Sequence, residues 1–141
     1  MCLVVGLSLY YSLLFSMEKL KILIGSYDVF LSMLIRERLL HFNAEFILAY
    51  DGIDVIKKSN EYKLEILIID SMLSKLDYYN VLYYVKRTNP NVHIILLTEL
   101  HNKSGIESIL DNKVDLILKK PVNFSLLFLE IENYKSIHQF S

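Results

Sequence analysis

The sequence predicts a three-layer α/β domain, a parallel β-sheet with helices on both faces. Nearly pure aliphatic runs recur along the chain, the clearest being Leu64–Ile69 and Ile94–Leu97. They lack the in-out alternation of a half-solvated strand, which argues for burial on both faces, as in a parallel sheet covered by helices. The stretches between them carry helical patterns, so the chain reads as a βα unit repeated five times. Gly and Pro number only 4 and 2, which excludes collagen-like and Pro-rich linker architectures.

Each element can be justified in order. Leu20–Ile24 is the first strand, and Gly25-Ser26 breaks the run. Asp28 falls in the first turn of a helical stretch reaching about His41, where an acid suits the positive end of the helix dipole. Phe30, Met33, Leu34 and Leu40 are expected to give that helix much of its apolar, core-facing side. Phe46–Ala49 is the second strand, Asp51-Gly52 a turn signal, and Ile53–Ser59 a short helix. Leu64–Ile69 is the third strand, followed by a loop through Ser74. Leu76–Thr88 is helical and stops at Asn89-Pro90-Asn91, because Pro90 cannot extend it. Val92–Leu97 is the fourth strand. Asn102–Leu110 is a helix weakened by Gly105. Val114–Leu118 is the fifth strand, Pro121 follows, and Phe124–Tyr134 is the last helix.

Bulk properties narrow the function. The 141 residues suffice for one domain with a real core, and 53% hydrophobic against 22% charged residues excludes disorder. A net charge of -1, with lysines spread along the chain, leaves no basic footprint for nucleic acid. Cys2 is the sole cysteine, so neither an intramolecular disulfide nor a cysteine-based metal cluster is expected, and a reducing, cytoplasmic setting fits. The histidines at 41, 93, 101 and 138 have no metal-ligand spacing. No glycine-rich phosphate loop is present. Tyr78, Tyr79, Tyr83 and Tyr84 crowd one helix and cannot all face inward, so exposed aromatic surface is expected there, of the kind common at interfaces.

Residues 1–16 form an apolar extension, 17–135 the domain and 136–141 a tail. Cys2–Phe15 is broken only by Gly6, Ser8 and Ser12 and has neither a charged leader region nor a clear cleavage site. It is shorter than the roughly 20 residues of a membrane span, so no span is expected. Three readings stand: an element packed on the domain, a weak membrane-facing anchor, or a stretch upstream of a start at Met17. The third is favoured because Met17-Glu18-Lys19 leads straight into the first strand.

Right-handed crossovers bring every strand C-terminus to one sheet edge, where such sheets bind ligands. Three polar groups follow apolar strands there. Asp70 ends Ile68-Ile69-Asp70, Thr98 follows Ile94–Leu97, and Lys120 follows Leu116-Ile117-Leu118. A carboxylate nucleophile, a hydroxyl and an ammonium make a compact site for handling a phosphoryl group. No other base–nucleophile pair is visible, which disfavours an enzyme of another class.

Lys21-Ile22-Leu23-Ile24, Ala49-Tyr50-Asp51-Gly52, Leu67-Ile68-Ile69-Asp70, Leu96-Leu97-Thr98 and Lys120-Pro121 follow in an order and spacing that resembles the receiver domain of two-component response regulators, over about Lys19 to Tyr134. The resemblance implies a CheY-like, flavodoxin-like sheet of order 2-1-3-4-5. It implies that Asp70 accepts phosphate from a histidine kinase or phosphotransfer protein, that Thr98 and Lys120 contact the phosphoryl group, and that Pro121 follows a cis bond. It also implies Mg²⁺, held by Asp70 and the Met72 carbonyl, with Asp28 the nearest further acid. Several positions depart from the family. Ser26 and Tyr27 stand where receivers usually have two adjacent metal-binding acids, Ser74 where they often have Pro, Tyr78 where they often have Gly, and Ile117 at the aromatic switch position. The expected function is therefore a phosphorelay receiver signalling through protein contacts. The alternative is a degenerate receiver that binds an effector protein or itself as a homodimer without phosphorylation. With no room for an appended output domain, direct gene regulation is not expected.

Overall fold

The computed structural model describes residues 6, 7, 19–99 and 114–138. Within these the chain runs β1 (Leu20–Gly25), α1 (Val29–Arg38), β2 (Ala44–Ala49), α2 (Gly52–Glu61), β3 (Ile66–Asp70), α3 (Tyr78–Thr88), β4 (His93–Thr98), β5 (Leu116–Lys119) and α4 (Phe124–Ile137). All pairings are parallel, in the order β2-β1-β3-β4-β5, as the receiver resemblance implies. The helix expected over Asn102–Leu110 lies outside the described residues.

All four described helices begin at a side-chain cap. Asp28, Asp51, Asp77 and Asn123 each turn a side-chain oxygen onto a backbone N–H three residues on. This satisfies one of the orphan donors that every helix start leaves. The caps account for two corrections. Asp51-Gly52, read as a turn, is the cap and first residue of α2. Leu76, read as helical, stays outside α3 because Asp77 fixes its start. Gly52 has a further reason to be glycine. Its N–H donates to the Ser74 carbonyl at 3.0 Å, and a Cβ there would collide with the backbone oxygen of Leu76.

The three central strands, β1, β3 and β4, are buried on both faces, as their composition predicts. Leu23, Leu67, Ile69, Ile94 and Leu96 pack under α2 and α3. Ile22, Ile24, Ile66, Ile68, Ile95 and Leu97 pack on the other face with Ile35 and Leu39 from the α1 side and Leu127 and Ile131 of α4. The expected core face of α1 is wrong. Ser32 and Ile35, with Leu39 at the C-cap, point inward, whereas Phe30, Met33, Leu34 and Leu40 are exposed. The Asp28 cap sets where the helix starts, and the Ile35/Leu39 pair one turn apart takes the sheet-facing stripe.

β5 begins two residues later than expected because Asp115 closes the gap itself. Its N–H donates to the Ile94 carbonyl at 2.9 Å and its carboxylate accepts the Ile94 N–H at 2.8 Å. His93 hydrogen-bonds Glu130 at 2.8 Å, a strand-to-helix tie. Among the described residues, no group of three His, Cys, Asp or Glu could hold a metal. No helix among them is long and apolar enough to cross a membrane.

Candidate functional site

The strand register builds the site. Asp70 pairs with Leu97 and Thr98 with Lys119, so Asp70, Thr98 and Lys120 end three adjacent strands at one edge. The Lys120 N–H donates to the Thr98 carbonyl at 2.9 Å and the Ser71 N–H to that of Leu97 at 2.8 Å, carrying the ladder past the strand ends. The Lys120–Pro121 peptide bond is cis.

Asp70 is fully buried, and each of its oxygens has partners. Lys120 Nζ lies 2.6 Å from Oδ2. The Ser26 hydroxyl donates to the same oxygen at 2.9 Å, and the Met72 N–H donates to Oδ1 at 3.0 Å. A carboxylate oxygen only accepts, so Ser26 supplies the proton of this bond, while its own oxygen accepts the Asp28 N–H at 3.1 Å. A buried carboxylate is tolerated only when paired and hydrogen-bonded, and Asp70 is both. Oδ2 carries two donors and Oδ1 one, so Oδ1 retains a lone pair. Thr98 is also fully buried.

Tyr27 and the loop after β3 flank this cluster. The Tyr27 ring faces Lys120 Nζ at 5.9 Å from its centroid, within cation–π range. With Ser71, Met72, Leu73, Ser74 and Asp77 it lines a shallow depression of about 380 Å³. The loop is anchored by Gly52 to Ser74 and by Lys75 to Asp51 at 3.1 Å; Lys75 adopts a left-handed φ of 66°. The Asn80 N–H holds the Asp77 carboxyl below the usual range, and burial pushes the Tyr78 hydroxyl up. A roomier cleft, about 610 Å³, opens at the opposite sheet edge around Leu64, Val92 and Tyr134, away from Asp70.

The receiver resemblance implies Mg²⁺ at this edge, and the donor set here does not fit it. Mg²⁺ demands oxygen ligands in near-octahedral array. Ser26 turns its proton, not a lone pair, toward Asp70. Tyr27 brings a neutral ring half exposed to solvent. Asp28 spends Oδ1 on the Leu31 N–H at 3.1 Å as the cap of α1. The Lys120 ammonium already bears on Asp70 Oδ2.

Sequence reasoning grouped Asp70, Thr98 and Lys120 and missed Ser26 as a partner of Asp70. Its signal was positional: Ser26 directly follows β1, the neighbour of β3, one residue past Gly25, which pairs with Ile69. Nothing in a serine codon for codon announces a hydrogen bond forty-four residues away.

The family model described as "Response regulator receiver domain" matches residues 28–132. Several solved structures share the fold. The receiver domain of the Francisella response regulator 1452 is 22% identical, with a TM-score of 0.76 over 84% of this chain and 99% of that one. The signal receiver domain of an HD domain-containing protein from Pseudomonas fluorescens is 17% identical, with a TM-score of 0.78 over 86% and 98%. A two-component response regulator from Clostridium difficile is 22% identical, with a TM-score of 0.76 over 82% and 95%. No curated protein matches the sequence.

Proposed function

This chain belongs to the response regulator receiver domain family, and we propose that Asp70 is its phosphoacceptor, charged by a histidine kinase or phosphotransfer protein and read out through contacts with an effector protein. Phosphoryl acceptance is typical of the family. The observation that carries the assignment is the 2.6 Å pairing of Lys120 with Asp70 at the strand edge, beside Thr98.

In the proposed step Asp70 Oδ1, the oxygen with a lone pair to spare, attacks phosphorus. The new O–P bond forms as the bond from phosphorus to the donor's leaving group breaks, and the leaving group keeps the electron pair. Charge grows on the three peripheral phosphoryl oxygens. Lys120 offsets it by shifting from Asp70 Oδ2 toward one of them. Thr98 supplies a hydroxyl proton to another, while Ser26 keeps its proton on Asp70 Oδ2. The reaction uses the side chains of this chain and places no Mg²⁺ in the pocket. A cytoplasmic location, where such donors act, belongs to the same reading, as does an output carried by protein contacts rather than nucleic acid.

Incubation with a small acyl or amidophosphate donor, with and without Mg²⁺, followed by intact-mass measurement, tests it. One added phosphoryl group in both conditions, absent from Asp70→Asn, is the expected result. No adduct under either condition, with the fold intact, would favour the phosphorylation-independent module.

A further inference from the structure

The depression beside Asp70 is shaped for something other than a phosphoryl group. Polar contacts lie inward, at Asp70, Thr98 and Lys120. Outward from them the wall turns apolar: Tyr27 and Met72 are 49% and 47% exposed, and Leu73 continues the lining. Among the described residues on that wall, Asp77 is the one charged group. The Asn80 N–H and side-chain amide donate to its two oxygens at 3.0 and 2.7 Å and hold its carboxyl below the usual range, so it stays ionised. The depression also lies on the donor's side of the reaction. The Met72 N–H binds Oδ1, the attacking oxygen, and Lys120, on Oδ2, looks onto the Tyr27 ring. In an in-line transfer the leaving group departs opposite the attacking oxygen. Asp70 is fully buried, so that direction is outward, between Tyr27 and the loop after β3.

We propose that this depression is a leaving-group subsite, in which Tyr27 and Asp77 select donors whose phosphoryl group sits on a planar cationic ring, an N-phosphorylated imidazolium, over acyl phosphates. The inference rests on Asp70 as the phosphoacceptor. An imidazolium ring stacks on an aromatic face, gains from its π-electrons as a cation, and packs against a thioether such as that of Met72. Asp77 accepts its N–H and offsets its charge. An acyl phosphate leaves as a carboxylate, which has neither ring nor N–H and is repelled by Asp77. The step balances without an added acid. The bond from Oδ1 to phosphorus forms as the P–N bond breaks, and the electron pair returns to the ring nitrogen. The ring already carries a proton on its other nitrogen, so it leaves as neutral imidazole.

Initial rates of adduct formation, read by intact mass at subsaturating phosphoimidazole and separately at subsaturating acetyl phosphate, give a donor ratio for each variant. Dividing by the ratio of the natural chain cancels the intrinsic reactivity of the donors. Tyr27→Ala should lower the ratio about fivefold, because the acyl phosphate gains from the opened approach while the ring donor loses its platform. Tyr27→Phe keeps the ring and should keep the ratio. Asp77→Asn keeps the helix cap, removes the charge, and should lower the ratio about twofold to threefold. A ratio that survives Tyr27→Ala, that falls as far in Tyr27→Phe, or that ignores Asp77→Asn would overturn the inference and leave Asp70 as acceptor. No adduct from either donor in the folded natural chain would overturn the phosphoacceptor reading, and this inference with it.

Discussion

Lys120 Nζ and Asp70 Oδ2 lie 2.6 Å apart across fifty residues of sequence, with the carboxylate fully buried and the lysine nearly so. Removing one partner of such a pair strands the other charge. Lys120→Met is expected to lower unfolding free energy by about 3 kcal/mol. Adding Asp70→Asn should recover much of that loss, because the stranded charge is gone. Urea denaturation of both single variants and the double variant measures the coupling; additive losses would mean that the two side chains do not share one interaction.

Ser26 holds the same oxygen from the other side. A hydrogen bond to a charged group is worth about 1.5–3 kcal/mol, so Ser26→Ala should destabilise the domain by an amount in that range. Ser26→Asp has a different consequence. It sets a second carboxylate beside Asp70 and supplies the kind of oxygen ligand that the natural residue does not. Mg²⁺ titration followed by amide shifts should show saturable binding in Ser26→Asp at low millimolar concentration and none in the natural chain. Saturation in the natural chain would contradict the reading of the Ser26 proton.

Tyr27 faces Lys120 from the solvent side of a fully buried Asp70. Tyr27→Ala should open the approach and raise the rate of adduct formation with a small phosphodonor several-fold, with the extent unchanged. An equal or slower rate would place the barrier to access elsewhere.

The helix caps predict an acid limb of stability. The Asp54 N–H holds the Asp51 carboxyl below its usual range, and the Asn80 N–H does the same for Asp77. A depressed folded-state value means that the unfolded chain binds more protons in acid. The cap contribution is therefore complete above about pH 4, the ordinary carboxyl value, and fades as pH falls through the lowered folded values. Asp77→Ala should cost about 1 kcal/mol at pH 7, whereas Asp77→Asn, an equally good cap, should cost little there and flatten this part of the acid limb. Thermal melts from pH 7 down to pH 2.5 check both.

Most of the fold was legible because burial leaves a compositional trace. Ile66–Ile69 and Ile94–Leu97 are continuous aliphatic runs, and five strands alternating with helical segments admit few parallel topologies. Element edges were less legible where a side chain replaced a backbone bond, as Asp115 does before β5 and Asp77 before α3. The face of α1 was misread because both candidate stripes are apolar: Phe30, Met33 and Leu34 match helical periodicity as well as Ile35 and Leu39 do. Only the tertiary placement of the helix separates them. In the site, Asp70, Thr98 and Lys120 could be grouped from topology alone, since each ends a strand. The Ser26 contact could not, because it depends on which way one hydroxyl turns once the Asp28 N–H occupies its oxygen.

The central claim, that Asp70 is the phosphoacceptor, is tested most directly by trapping the acyl phosphate where it forms. After incubation with a small phosphodonor, borohydride reduces an aspartyl phosphate to homoserine, and peptide mass mapping locates it. The account predicts homoserine in place of Asp70 in the peptide spanning β3, lost when Lys120 is changed to Met and absent without donor. Homoserine at another aspartate, or an intact Asp70 in a folded chain that has taken up phosphate, would contradict it.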